Sequence, residues 1–138
     1  MTEGPAPAER TSAQATVFFC HGSRSPAWRV PFEQLAEDYR RRFPNQQVRL
    51  AYLELMSPPL TEVLAELAGA GTVSVRIVPL FLAPGAHTRR DLPALVAQAR
   101  EQWPALQVTV APALLESPVL RAAVVDALQE SVAYNQKV

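Results

Sequence analysis

The sequence predicts a doubly wound α/β domain: a flavodoxin-like four-stranded parallel sheet in the order 2-1-3-4, with helices on both faces. Three observations predict it. Apolar periodicity alternates between strand and helix spacing along the whole chain, giving the order βαβαβαβα. The connections are short, which favours right-handed crossovers between parallel neighbours. Residues 44–68 laid on 104–128 also match at eight of twenty-five positions: Pro44, Gln47, Val48, Ala51, Leu55, Ser57, Pro58 and Leu60. Duplication and the shared demands of a helix-stop, strand and helix-cap unit both account for this match, and either makes the two halves equivalent βαβα units.

Thr16–Cys20 is a β-branched and aromatic run, the pattern of a strand buried on both faces, and is expected to be central. From Ser25 the period changes. Trp28, Phe32, Leu35, Ala36, Tyr39 and Phe43 line one side of a helix opposite Glu33, Glu37, Asp38, Arg40 and Arg41, with Ser25 as cap, Pro26 at its start and Pro44 as its stop. Gln47–Leu53 is the second strand. A helix capped by Ser57 and starting at Pro58 carries Leu60, Val63, Leu64 and Leu67 on one face and closes at Gly69 and Gly71. Thr72–Pro79 is the third strand, and a loop over 80–90 leads to a helix capped by Asp91 and running through Leu92, Leu95, Val96, Ala99 and Trp103. Gln107–Ala111 is the fourth strand, and Ser117-Pro118 opens a last helix with Leu120, Val124, Ala127 and Leu128 expected inward. Residues 1–15 read as a flexible N-terminal tail, 16–133 as one domain, and 134–138 as a C-terminal tail.

At 138 residues and 49% hydrophobic, the chain has enough apolar surface for one core and not for two. Thirteen basic residues balance thirteen acidic ones, so no bulk charge points to nucleic acid or an anionic membrane. The single cysteine, Cys20, excludes an internal disulfide framework and a paired-cysteine zinc site, and suits a reducing, cytoplasmic setting. No apolar run reaches the ~18–20 residues of a membrane span.

In doubly wound sheets the chemistry collects at the carboxyl ends of the strands. Both histidines fall there: His21 directly after strand one, and His87 in the long loop after strand three. Glu54 follows strand two. With strand one between two and three, these side chains emerge from neighbouring strands and are candidates to converge. Two imidazoles and a carboxylate suit a borderline divalent cation and leave coordination positions open. The same imidazoles are the natural proton acceptors near neutral pH. Arg24, Arg29, Arg89 and Arg90 stand on the same edge and suit a carboxylate-rich ligand. The Gly22–Ser25 turn offers only one glycine for a phosphate cradle, and Cys20 reads as core rather than as a nucleophile.

The chain resembles the short sirohydrochlorin cobaltochelatases, relatives of the siroheme ferrochelatases and of the nickel-inserting archaeal form. The marks are the apolar strand ending in His21-Gly22-Ser23-Arg24, the Tyr52-Leu53-Glu54 stretch before a proline-containing helix start, and Val78-Pro79-Leu80-Phe81-Leu82 leading to Gly85-Ala86-His87 and Asp91-Leu92-Pro93. They run from Thr16 to about Ser131. The resemblance implies a lyase that inserts cobalt, ferrous iron or nickel into sirohydrochlorin with loss of two pyrrole protons, on the way to cobalamin or siroheme. It implies His21 as proton acceptor and metal ligand, His87 as second ligand and Glu54 as assisting carboxylate. Ser57 and the loop Leu82, Ala83, Pro84, Gly85 and Ala86 would lie against the macrocycle, with Arg24 and Arg89 for its carboxylates. No organic cofactor, nucleic acid or membrane is implied. Longer members carry two such domains, so a homodimer is implied here. The competing reading is a metal or tetrapyrrole carrier on the same fold that uses the same ligands without turnover.

Overall fold

The computed structural model describes residues 13–130, apart from the side chain of His87. The element order is β1 (Gln14–Cys20), a 3₁₀ turn (Pro26–Arg29), α1 (Val30–Arg42), β2 (Gln47–Tyr52), α2 (Leu60–Gly69), β3 (Ser74–Pro79), α3 (Ala86–Gln102), β4 (Gln107–Val110), a second 3₁₀ turn (Leu114–Glu116) and α4 (Pro118–Glu130). The strands form one sheet in the order β2-β1-β3-β4, every pair parallel, as expected. β1 is central because Val17, Phe18, Phe19 and Cys20 are apolar on both sides, and all are buried.

The two faces are covered unequally. On one, α2 gives Leu60, Val63, Leu64 and Leu67, and α3 gives Leu92, Val96 and Ala99, to a core with Val17, Phe19, Val75, Ile77 and Val108 of the sheet. On the other, α1 buries only Ala36, against Phe18 and Val48, with Tyr39, Leu50, Val78 and Leu80 packed around them. No β4 residue joins that second cluster.

Several boundaries differ from the sequence expectation for identifiable reasons. β1 starts at Gln14 because Gln14 and Ala15 pair with Ser74 and Val75, so these two residues belong to the sheet and not to the expected tail. Residues 1–12 of that tail, and 134–138, lie outside the described residues. Ser25 makes no side-chain cap, and the first helix opens as the 3₁₀ turn. Ser57 is no cap either: the Ser57-Pro58 peptide is cis, Pro59 stays extended, and the Tyr52 N–H donates to the Pro58 carbonyl, so α2 begins at Leu60. α3 begins at Ala86, five residues before the expected cap at Asp91, with Pro93 inside it. Thr88, Leu92, Val96 and Ala99 share its buried face, so packing extends the helix over the proline. His87, Arg89 and Arg90 therefore stand in the first turns of a helix rather than in a loop.

The internal repeat is present in the hydrogen bonds. The Arg40 guanidinium donates to the Val48 carbonyl at 3.0 Å and that of Arg100 to the Val108 carbonyl at 2.9 Å, sixty positions on. Phe43 and Trp103 end their helices with the same backbone shape and the same bond back to Tyr39 and Ala99. The equivalence stops at the last helix. Ser117 Oγ caps α4 by accepting from the Leu120 N–H, yet Leu120, Val124, Ala127 and Leu128, expected inward, are all exposed.

Burial pushes the Cys20 thiol up to about 12 from an ordinary 9.0. The folded chain keeps that proton over a range in which the unfolded chain loses it. The thiol's contribution to stability is therefore intact below pH 9 and falls, by up to ~1.4 kcal/mol per pH unit, between pH 9 and 12. Thermal melts should show a steeper alkaline loss in the native chain than in Cys20→Ala; parallel curves would mean the thiol is not withheld from water.

Candidate active site

The candidate site is the carboxyl edge of the sheet, and it begins with a continuation of strand pairing. Beyond Cys20 and Tyr52, the Leu53 N–H donates to the Cys20 carbonyl at 2.7 Å and the Glu54 N–H to the His21 carbonyl at 3.0 Å. The loops after β1 and β2 are thereby zipped together one residue past the strands. Gly22 makes this possible. Its φ is +100°, and a Cβ built on it would lie 1.8 Å from the Glu54 carbonyl oxygen. Leu55 next to it takes a left-handed conformation, φ 64°, and the Met56 N–H turns back to the Glu54 carbonyl, so the carboxylate sits on a tight corner.

The third wall comes from β3. The Leu80 N–H donates to the Phe19 carbonyl and delivers Phe81, which is buried, under the imidazole of His21 with ring centroids 4.1 Å apart and planes tilted by 38°. Phe81 was not among the sequence candidates; the available signal was an aromatic at a strand end beside a glycine-containing loop. A second aromatic group borders the edge: Trp28 stacks on Phe32 at 4.4 Å, and the Arg29 guanidinium lies 5.5 Å from the ring centre of buried Tyr52. Burial pushes the Tyr52 phenol up, with Cys20 adding to the effect.

The expected residues divide as follows. His21 and Glu54 are exposed and joined through their backbones. The backbone of His87 is the second residue of α3, on the same edge. The side chain of His87 lies outside the described ones, and the His21 ring packs on Phe81. Ser57 and Arg24 are exposed on the flanking loops. Leu82, Ala83, Gly85 and Ala86 form an exposed lip, Leu82 being 67% exposed, and Pro84 turns toward a groove of about 440 Å³ lined also by Phe81, Thr88, Leu92 and Ala113. Arg89 is exposed on α3, and among the described residues neither it nor Arg24 is ion-paired. In the Gly22–Ser25 turn the Ser25 N–H donates to Ser23 Oγ, which removes that donor from any phosphate cradle there.

This sheet and edge define an α/β unit of the chelatase type. Its fold matches the sirohydrochlorin chelatase SirB from Bacillus subtilis subspecies spizizenii in complex with cobalt, at TM-score 0.69 and 22% identity over 85% of this chain and 50% of that one. It also matches the cobalamin (vitamin B12) biosynthesis CbiX protein from Marinobacter aquaeolei VT8, at TM-score 0.72 and 31% identity over 85% of this chain and 95% of that one. The CbiX family profile matches residues 15–131, and the chain belongs to that family. Curated relatives include the sirohydrochlorin cobaltochelatases of Methanopyrus kandleri, 35% identical over 82 residues, and Saccharolobus islandicus, 37% identical over 76. Those matches cover 59% and 55% of this chain and 57% and 58% of the relatives, so less than two thirds of each relative's length is spanned.

Gly22→Ala forces its new methyl against the Glu54 carbonyl in a backbone conformation that L residues rarely adopt. It should cost about 2–4 kcal/mol in a denaturant titration and unzip the His21–Glu54 corner, read as faster amide exchange at Glu54. A neutral substitution would mean that this loop approach is not needed.

Proposed function

We propose that this chain is a chelatase that inserts a divalent metal ion, cobalt, ferrous iron or nickel, into sirohydrochlorin. The observation that carries the reading is the backbone lock between His21 and Glu54, which ties a histidine and a glutamate of adjoining loops to one edge of a CbiX-family sheet.

Metal insertion exchanges two pyrrole N–H protons for one divalent cation. The site must hold the macrocycle with its central nitrogens facing the ion and accept protons as the metal–nitrogen bonds form. His21, exposed and backed by Phe81, is the proton acceptor and a metal ligand. Glu54 adds negative charge that favours the incoming cation and the departing protons, and His87 at the start of α3 is the second imidazole ligand. His21 and Glu54 are open, exposed groups on loops, suited to handing over an ion rather than caging it. The Leu82–Ala86 lip and Ser57 meet the macrocycle, and Arg24 and Arg89, free of carboxylate partners among the described residues, meet its peripheral carboxylates. The metal is a substrate, no organic cofactor takes part, and the working unit is a cytoplasmic homodimer.

Anaerobic absorbance assays with sirohydrochlorin and each of Co²⁺, Fe²⁺ and Ni²⁺, against metal-only controls, test the reading. His21→Ala should lower the enzymatic rate by ~10²-fold or more. Full turnover in both His21→Ala and His87→Ala would overturn the assignment, and spectral binding without acceleration would make the protein a carrier.

A further inference from the structure

The tight corner that carries Glu54 turns on a residue ill suited to its backbone. The Met56 N–H donates to the Glu54 carbonyl at 2.8 Å, two residues back, around Leu55 with φ 64°. This closes a γ-turn of the positive-φ kind, the rare and strained form. Glycine takes that region freely, and asparagine and aspartate visit it at small cost, whereas the Cβ of leucine crowds the following carbonyl. Leu55 is the one non-glycine residue with positive φ among the described residues.

Packing does not repay this strain. Leu55 is 57% exposed and belongs to neither apolar cluster of the fold. The bonds that hold the corner, from the Glu54 N–H to the His21 carbonyl and from the Met56 N–H to the Glu54 carbonyl, use no atom of its side chain. What leucine adds over glycine here is an isobutyl group held out in water beside the candidate site. A strained backbone position that keeps a large apolar side chain in solvent marks a contact made with a ligand. The sheet indicates what such a contact spans. β2 and β3 flank β1 on either side, so their ends stand about 10 Å apart, two strand spacings. Leu55 is the third residue past Tyr52, where β2 ends, and Leu82, also exposed, is the third past Pro79, where β3 ends. His21, the first residue past β1, comes between them.

We propose that Leu55 is a macrocycle-binding residue: with Leu82 it forms a pair of apolar rests for the face of the tetrapyrrole, whose central nitrogens then lie over His21. An imidazole with an exposed aliphatic side chain on each flank is a poor setting for a hydrated ion alone. It suits a broad, flat ligand that is apolar on its face and polar at its centre. The inference rests on the chelatase reading and adds to it a substrate contact on the β2 side of the site. Because the contact is with the ring face and not with the ion, it acts on tetrapyrrole affinity and leaves metal affinity alone.

The test uses the full chain and the variant Leu55→Asn, because asparagine is close to leucine in size, accepts positive φ and has little apolar surface to offer. Titration with metal-free sirohydrochlorin, followed by its absorbance, should give a Kd weaker than the native one by ~10-fold or more. Affinity for Co²⁺, measured with the metal alone, should be unchanged, and the melting temperature should not fall. Leu55→Met keeps the apolar surface and should bind the tetrapyrrole within ~3-fold of the native chain. Native-strength binding in Leu55→Asn would overturn the inference and leave the chelatase reading intact. A drop in melting temperature or in Co²⁺ affinity alongside the lost binding would overturn it too, by showing that the side chain braces the corner. Tetrapyrrole binding that is lost in Leu55→Asn, in a native chain that inserts no metal, would refute the enzyme reading and leave this contact standing.

Discussion

Everything at the carboxyl edge depends on the approach of Gly22 to the carbonyl of Glu54. Parallel strands normally diverge into their loops once the ladder ends. Here two further backbone bonds, from Leu53 and Glu54, carry the β1–β2 pairing into the loops, and they can form only because residue 22 has no side chain. The contact joins two otherwise independent loops into one rigid corner, with the imidazole on one side and the carboxylate on the other. Phe81 completes the support by presenting a buried ring to the imidazole from a third strand. An imidazole held by backbone pairing and ring packing keeps its position on the edge.

Much of this was legible in the chain. β1 announced its central place through an unbroken apolar run, and the strand order followed from short crossovers around it. The edge that carries His21 and Glu54 followed in turn. Less legible were features governed by tertiary packing. A proline at position 93 argues locally for a helix start nearby, but Thr88, Leu92, Val96 and Ala99 share one buried stripe, and that burial outweighs the local preference. Ser57 looked like a cap until the backbone of Pro58 was drawn into pairing with Tyr52. The stripe on α4 was correctly apolar and wrongly placed: periodicity reveals that a helix has a face to bury, and is silent on which surface will bury it.

The repeat adds a related lesson. Both halves of the chain end a helix on an aromatic residue, pin it to the next strand with an arginine, and enter that strand in the same register. They part at the following helix. α2 folds down on its own sheet with four buried aliphatic residues, whereas its counterpart α4 buries none. Equivalent local sequences thus reach different ends: α2 buries its apolar face on the sheet, and α4 packs chiefly on the 3₁₀ turn before it.

The second 3₁₀ turn bears on this in another way. Its Leu114 and Leu115 N–H groups donate to the carbonyls of Phe81 and Leu82, so the root of α4 is stitched to the lip of the candidate site. The lip is otherwise a short, exposed span with few tethers, the kind of segment that samples many shapes. Suspending it from the base of a long helix turns that helix into a lever. A load carried by α4 is thereby passed through those two hydrogen bonds to Phe81 and Leu82, at the head of the lip.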